Sequence, residues 1–483
     1  IVERIITYRN GLIVGRSIKS LFEGEDIGAV LIRTNERFFA EIYQEDTWHN
    51  NILALHDRVE SSSCGRESGI GLRMFSGLNS RYAFTTDETE ANLLHLVRKL
   101  AQSLTGSSGA KIPLGERTVY GQAHPIIVKP DNVTYSRRMD VIRRAISSGM
   151  AYAPEIVQVS VRYLDLNQHV LIANSEGVYA EDTRVKTRIL INAYAQNEKG
   201  LQNGYFGPGA MRGFEYYDTL DIEWYAQEAA RVAVTMLNAD RCPGGQMSVV
   251  VDNGFGGLMF HEACGHSLEA SSVAKGTSEF SGKLGQQIAS PLVTLIDDGT
   301  IANAWGSLSI DDEGQPTRKN VLIQDGILKG YMIDKLNGRR LQMDPTGSAR
   351  RQSYRFAPTS RMTNTYIANG PHSRDEIISS TDQGLFVKYI NGGSVNPATG
   401  DFNFNVSEAY LIENGKITID ILHKPVRGAT LIGNGGNILK QVDMIGNNLE
   451  IRQGYCYAGS GALFIGAGQP TVRVATMTVG GAK

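Results

Sequence analysis

Val157, Val159, Val161 and Tyr163 alternate without a break against Gln158, Ser160 and Arg162. A period of two sends successive side chains to opposite faces, so this stretch reads as a strand with one buried face. Such a strand needs neighbours. The turn-forming pair Asn167-Gln168 follows, then HVLIAN and VKTRILINAYAQ, and the series predicts an antiparallel meander. Earlier, GLIVGRSI and GAVLIRTNERFFAEIYQ are strand-like as well. Three segments at helical spacing flank these strands: 86–104, with Thr86 as its cap, 131–149, and 221–238. A Gly/Ser loop is expected at 106–109.

Past Arg241-Cys242-Pro243-Gly244-Gly245, which reads as a linker, the character changes. QMSVVVDN is a short buried strand and GFGGLMFHEACGHSLEA the one clear helical segment. From Pro291 onward short strands alternate with Gly, Asn and Asp turns, the pattern of a barrel or sandwich. The expected fold is α+β. An N-terminal α+β domain spans 1–240, divisible at 120/121, and a β-rich catalytic domain with a single bulged helix spans 241–483. A length of 483 residues agrees with two or three domains.

Charge excludes little but helps. Lys plus Arg is 48 and Asp plus Glu is 50, so no overall field draws the chain to nucleic acid. No apolar run approaches the roughly 18–20 residues of a membrane span. The opening IVERIITYRNG carries Glu3 and Arg4 and does not read as a signal peptide; it starts on Ile rather than Met, which leaves room for residues before it. Four dispersed cysteines, Cys64, Cys242, Cys264 and Cys456, form no disulfide framework and fit a reducing cytoplasm.

The chemistry concentrates in His261-Glu262-Ala263-Cys264-Gly265-His266. Two imidazoles offer ligands to a borderline-soft cation, and an adjacent carboxylate is placed to act as a general base. In the common HExxH pattern the histidines stand at i and i+4, about 40° apart around a helix. Here they stand at i and i+5, about 140° apart, too wide for one ion on a regular helix. Either both are hydrogen-bonded structural residues, or the helix widens by one residue near Gly265, as a π-bulge does. Gly254, Gly256 and Gly257 would let backbone or substrate approach closely.

The segment GFGGLMFHEACGHSLEA resembles the motif of the TldD/PmbA peptidase family, on its TldD side. IDDEGQPTRKNVLIQDGILKGYMID, PTGSARRQSY, RMTNTYIANG, SEAYLIENGKI, RGATLIGNG and IGNNLEIRQGYCYAGSGALFIGAGQPTVRV are similar to that family's C-terminal region, in order. The resemblance implies a metallopeptidase acting on unfolded or short peptides, with His261, His266 and Cys456 as ligands of one divalent metal, zinc or iron, and Glu262 as catalytic base. It also implies a dimer, with itself or with a PmbA-like (TldE) paralogue, and no membrane or nucleic-acid partner. Because family names invoke DNA gyrase, a non-enzymatic modulator is the alternative.

Cys264 would point about 60° from His261 and roughly 160° from His266 on a helix, and reads as a small buried hydrophobe, like Cys64 and Cys242. Arg339, Arg340, Arg350, Arg351, Arg355 and Arg361 form the one basic concentration. It serves either carboxylate or oxyanion recognition or an interdomain salt-bridge set. Arg351 and Tyr354, with Gly256 and Gly257, are the candidate substrate contacts. Gly433 to Gly436 and Gly459 to Gly461 lack a phosphate-loop lysine and read as turns.

Overall fold

The computed structural model describes residues 7–9, 12–14, 38–56, 58–104, 118–120, 124–396, 398–417 and 425–481. Within GLIVGRSI, Leu12–Val14 pairs with Thr7–Arg9; residues 28–37 and the 106–109 loop lie outside the described residues.

The first half is built on one large, mainly antiparallel sheet. Strands β1 (Phe38–Leu55), β2 (Arg58–Ser76) and β3 (Asn79–Thr85) form one meander. After helices α1 (Glu90–Gln102) and α2 (Tyr135–Met150), strands β4 (Ile156–Asn174), β5 (Tyr179–Asn197) and β6 (Gly200–Phe206) form a second. β1 and β4 join the two meanders. Helix α3 (Ile222–Leu237) follows, capped by Asp221, which accepts from the Trp224 N–H.

Alternation along β4 explains the layers. Val159, Val161 and Tyr163 pack under α2 and α3, and Leu171 and Ala173 pack under α1. Val170 and Ile172, on the opposite face, meet Ile310 and Tyr354 of the second half. A register shift between Ile156 and Gln158 turns Val157 outward, so the apolar series starts at Val159. Asn167-Gln168 is no turn: both lie inside β4, with side-chain amides donating to Asp131 and Glu45 while the backbone stays in the ladder. The chain reverses at Ser175 to Gly177 instead, where Gly177 takes a positive φ. The first helix starts at Glu90 rather than Thr86, and the second is capped by Thr134, four residues into the expected span.

The second half carries β7 (Gly245–Val251), β8 (Leu295–Asp298), β9 (Lys319–Gln324), β10 (Asn364–Ile367), β11 (Gln383–Val395), β12 (Asp401–Glu413), β13 (Thr430–Asn434), β14 (Glu450–Ala458), β15 (Gly461–Gln469) and β16 (Val472–Gly480). β7, β11, β12, β13 and β16 pair in a closed ring, so the barrel alternative is the one realised. Beside it runs a sheet in the order β9-β8-β10-β15-β14, with β14 at the edge. The motif segment lies between β7 and β8 and shares one core with the barrel. It is not the sole helical piece there: α4 (Lys335–Leu341), α5 (Arg374–Ser379) and α6 (Gly435–Gln441) are too short to show a period. Gly435 therefore opens a helix instead of completing a turn, whereas Gly459-Ser460 does turn β14 into β15. Among the described residues no helix is long and apolar enough to cross a membrane.

Candidate metal centre

The widened turn is present. Leu258–Phe260 is α-helical, His261–Gly265 is a π-turn, and His266–Leu268 tightens to a 3-10 turn. The extra residue brings the two imidazoles to one side, with ring centroids 5.3 Å apart. Packing holds the distortion. A Cβ on Gly265 would lie 2.1 Å from the Met362 sulfur, and one on Gly435 would lie 2.1 Å from the Ala263 carbonyl oxygen.

β14 delivers the fourth member. Cys456 Sγ lies 3.1 Å from His266 Nε2, across 190 residues of chain. Donor atoms of His261, Glu262, His266 and Cys456 all fall within 4.8 Å of one another. His261 and Cys456 are buried, while Glu262 retains 17% side-chain exposure, with Oε2 3.6 Å from His266 Nε2. Cys264 is fully buried in the apolar core and stands outside the cluster. Cys242 is buried too, whereas Cys64 is exposed, because β2 is an outer strand along that part of its length.

His261 is the anomaly. It is fully buried, and neither ring nitrogen has a hydrogen-bond partner. Leaving a buried polar group unpaired costs about 1–3 kcal/mol. A cation ligated by His261 removes that cost, and two imidazoles with one thiolate form a donor set suited to zinc. Burial, aided by the charges of His266, Arg361 and Arg350, holds the His261 pKa well below its usual value, which favours the neutral ligand form. Burial also raises the Glu262 carboxyl, against the opposing pull of His266.

Two residues of the site escaped the sequence reading. Glu269 Oε1 lies 3.2 Å from His266 Nδ1, and orients the ring so that Nε2 faces Cys456. Arg361 stands 3.7 Å from Glu269 and donates to the Cys456 carbonyl, tying the motif to β14. The spacing His266 to Glu269, i to i+3 on one helix face, was the available signal for the first; nothing local marked the second. Burial lowers the His266 pKa, but Glu269 and Cys456 outweigh it and raise the net value.

The other candidates serve elsewhere. Arg351 is buried in an ion pair with Glu41 of β1 and donates to the Asp312 carbonyl. Tyr354 is buried, and its N–H donates to Glu45. Both belong to the junction between the two halves, the interdomain alternative of the arginine cluster. Gly256 and Gly257 make room for protein: added Cβ atoms would lie 2.5 Å from Val251 and 2.4 Å from the Gly468 backbone.

The PmbA/TldA metallopeptidase C-terminal domain matches residues 244–481, the central domain 128–237 and domain 1 residues 40–104. The metalloprotease TldD homolog of Haemophilus influenzae is 35% identical over 461 residues, 92% of this chain and 93% of that protein. In structure, TldE from Thermococcus kodakarensis superposes with a TM-score of 0.72 at 19% identity, over 91% of this chain and 96% of that one. A Thermotoga maritima protein named as a candidate modulator of DNA gyrase gives 0.74 at 20% identity, over 92% and 96%. These two share the fold.

Proposed function

This chain belongs to the TldD/PmbA metallopeptidase family, and from that premise we propose that it hydrolyses peptide bonds at the cluster of His261, Glu262, His266 and Cys456. The buried, unpartnered imidazole of His261 carries the proposal, because a cation is the partner it lacks. His261, His266 and Cys456 hold one divalent ion, zinc by its fit to the donor set, with iron second. The ion supplies Lewis acidity, polarising a peptide carbonyl and making water a stronger acid. Glu262, the member of the cluster open to solvent, takes the proton from the attacking water and passes it to the leaving amine. Glu269 and Arg361 hold His266 and Cys456 in place.

The substrates are short or unfolded peptides. The working unit is a dimer, with a second copy or with a TldE-like paralogue, in a reducing compartment that suits four free thiols. A gyrase-modulator role would need the arginines of 339–361 to face a partner, yet Arg350, Arg351 and Arg361 are buried.

The test is metal content and cleavage of an unstructured peptide, native protein beside Glu262→Ala. Both should hold about one ion per chain, and the variant should cleave about 10²–10⁴-fold more slowly. Equal rates, or no ion after reconstitution under reducing conditions, would overturn the proposal.

A further inference from the structure

A cavity of about 640 Å³ lies between the two halves of the molecule, lined in part by β14, the strand that also carries Cys456. That volume falls within the roughly 300–1,000 Å³ typical of ligand sites. Aromatic rings from four elements line it: Tyr205 and Phe206 of β6, Trp224 and Tyr225 of α3, Tyr389 of β11 and Tyr455 of β14. Trp224 and Tyr205 are 47% and 39% exposed, so rings at the mouth of the cavity remain open to solvent.

Its charges are already engaged. Arg452 pairs with Glu450 through two bonds of 2.8 and 3.2 Å, and its guanidinium lies over the rings of Phe206 and Tyr389. Arg188 donates to the Gly207 and Gln453 carbonyls and to the Tyr205 hydroxyl. With both cations committed to protein partners, the cavity offers ring faces, interspersed with the neutral polar groups of Asn192, Asn203, Asn391 and Ser407, rather than a free charge, and this lining suits an aromatic group.

Its position says what that group is attached to. Residues Glu450 to Tyr455 of β14 form one wall, and the next residue is Cys456. Phe255, which opens the turn leading to His261, lines the cavity too. At about 3.3 Å per residue, Gly454 and Arg452, the wall residues on the same face of the strand as Cys456, lie roughly 7 and 13 Å along it, or about two to four residues of an extended peptide.

We infer that this cavity is a specificity subsite, taking a bulky aromatic side chain of the peptide substrate two to four residues to one side of the bond that is cleaved. The inference rests on the peptidase reading and adds a substrate preference to it.

The experiment uses unstructured Ala/Ser/Gly peptides carrying a single Phe at successive positions. Two readouts are taken: kcat/KM with the native protein, and binding of the labelled peptides to Glu262→Gln by fluorescence anisotropy. Phe within the two-to-four window on one flank should improve both by about tenfold over Ala, the scale of burying one aromatic side chain. Trp224→Ala, made in each background, should reduce that ratio to about twofold or less. Tyr205→Ala, also at the mouth, gives the same readout if Trp224→Ala fails to fold. Cleavage without positional preference, or a preference untouched by both substitutions, overturns the subsite and leaves the peptidase reading standing. A Trp224-dependent binding preference without any cleavage by the native protein removes the peptidase reading, and with it the placement relative to a cleaved bond, and leaves the cavity as a binding site for an aromatic peptide side chain.

Discussion

Two regions of this molecule bury charged and polar side chains, and they do so in opposite ways. At the junction between the halves, Arg73 meets Glu313, Arg184 meets Asp312 and Asp182, and Arg351 meets Glu41. Each of these three arginines has a carboxylate within reach. At the cluster, His261 is as deeply buried and has no protein partner. A compensated network holds two bodies together, whereas an imidazole left short marks the place where something else completes the shell. Depth of burial alone would have ranked the two regions equally; what separates them is that each of these junction side chains keeps at least one partner, whereas both ring nitrogens of His261 have none.

The comparison breaks first at Arg351. Arg351→Ala leaves Glu41 buried without its cation, and should cost about 3–5 kcal/mol in urea unfolding. A loss below about 1 kcal/mol, the range of exposed pairs, would mean that the junction is not a compensated network. His261 should behave in the reverse sense. In His261→Leu the metal-free protein should keep its stability or gain some, because an apolar side chain replaces an unpaired polar one. The native protein should gain about 2.7 kcal/mol from zinc held at 100 times its Kd, and the variant none. Unfolding with zinc and with chelator reads both; an equal zinc effect in the two proteins would remove His261 from the ligand set.

Asp297 sharpens the contrast most finely. It is fully buried and accepts three hydrogen bonds, from the Thr363 N–H and the Thr363 and Thr365 hydroxyls. Burial, against those hydrogen bonds, raises its pKa from 3.8 to about 6. The folded state therefore binds the proton more tightly than the unfolded chain. The associated stability is full below the unfolded value and is lost as pH rises through about 6. The loss should amount to roughly 2 kcal/mol between about pH 4 and pH 7, and Asp297→Asn should flatten that slope. A pH profile unchanged by the substitution would show that the hydrogen bonds fully replace hydration of the carboxylate.

Much of this was legible beforehand where the signal is local. Period-two alternation gave the meander, since a strand with one buried face can show no other pattern. The misreading of Asn167-Gln168 has the same root: turn-forming residues are a local signal, and here partners from Asp131 and Glu45, distant in sequence, let the amides sit inside a strand. The i, i+5 histidines required a widened helix if they were to share an ion, and the widened turn is present over His261–Gly265. The short helices α4, α5 and α6 were invisible, because six or seven residues hold too little of a period.

The sequence by itself determined the types of layer, the widened turn as the condition for a shared ion, and the two histidines and carboxylate that one stretch of chain carries together. Only the tertiary structure decided that Cys456 on an edge strand meets His266, that Arg361 ties the two, and that Arg351 and Tyr354 serve the junction rather than the cluster. The physical reason is range. Backbone periodicity and steric preference act over a few residues and are written in spacing. Ligation and charge compensation act between surfaces that meet only after the barrel closes and the sheet docks on it, and no spacing records which surfaces those are.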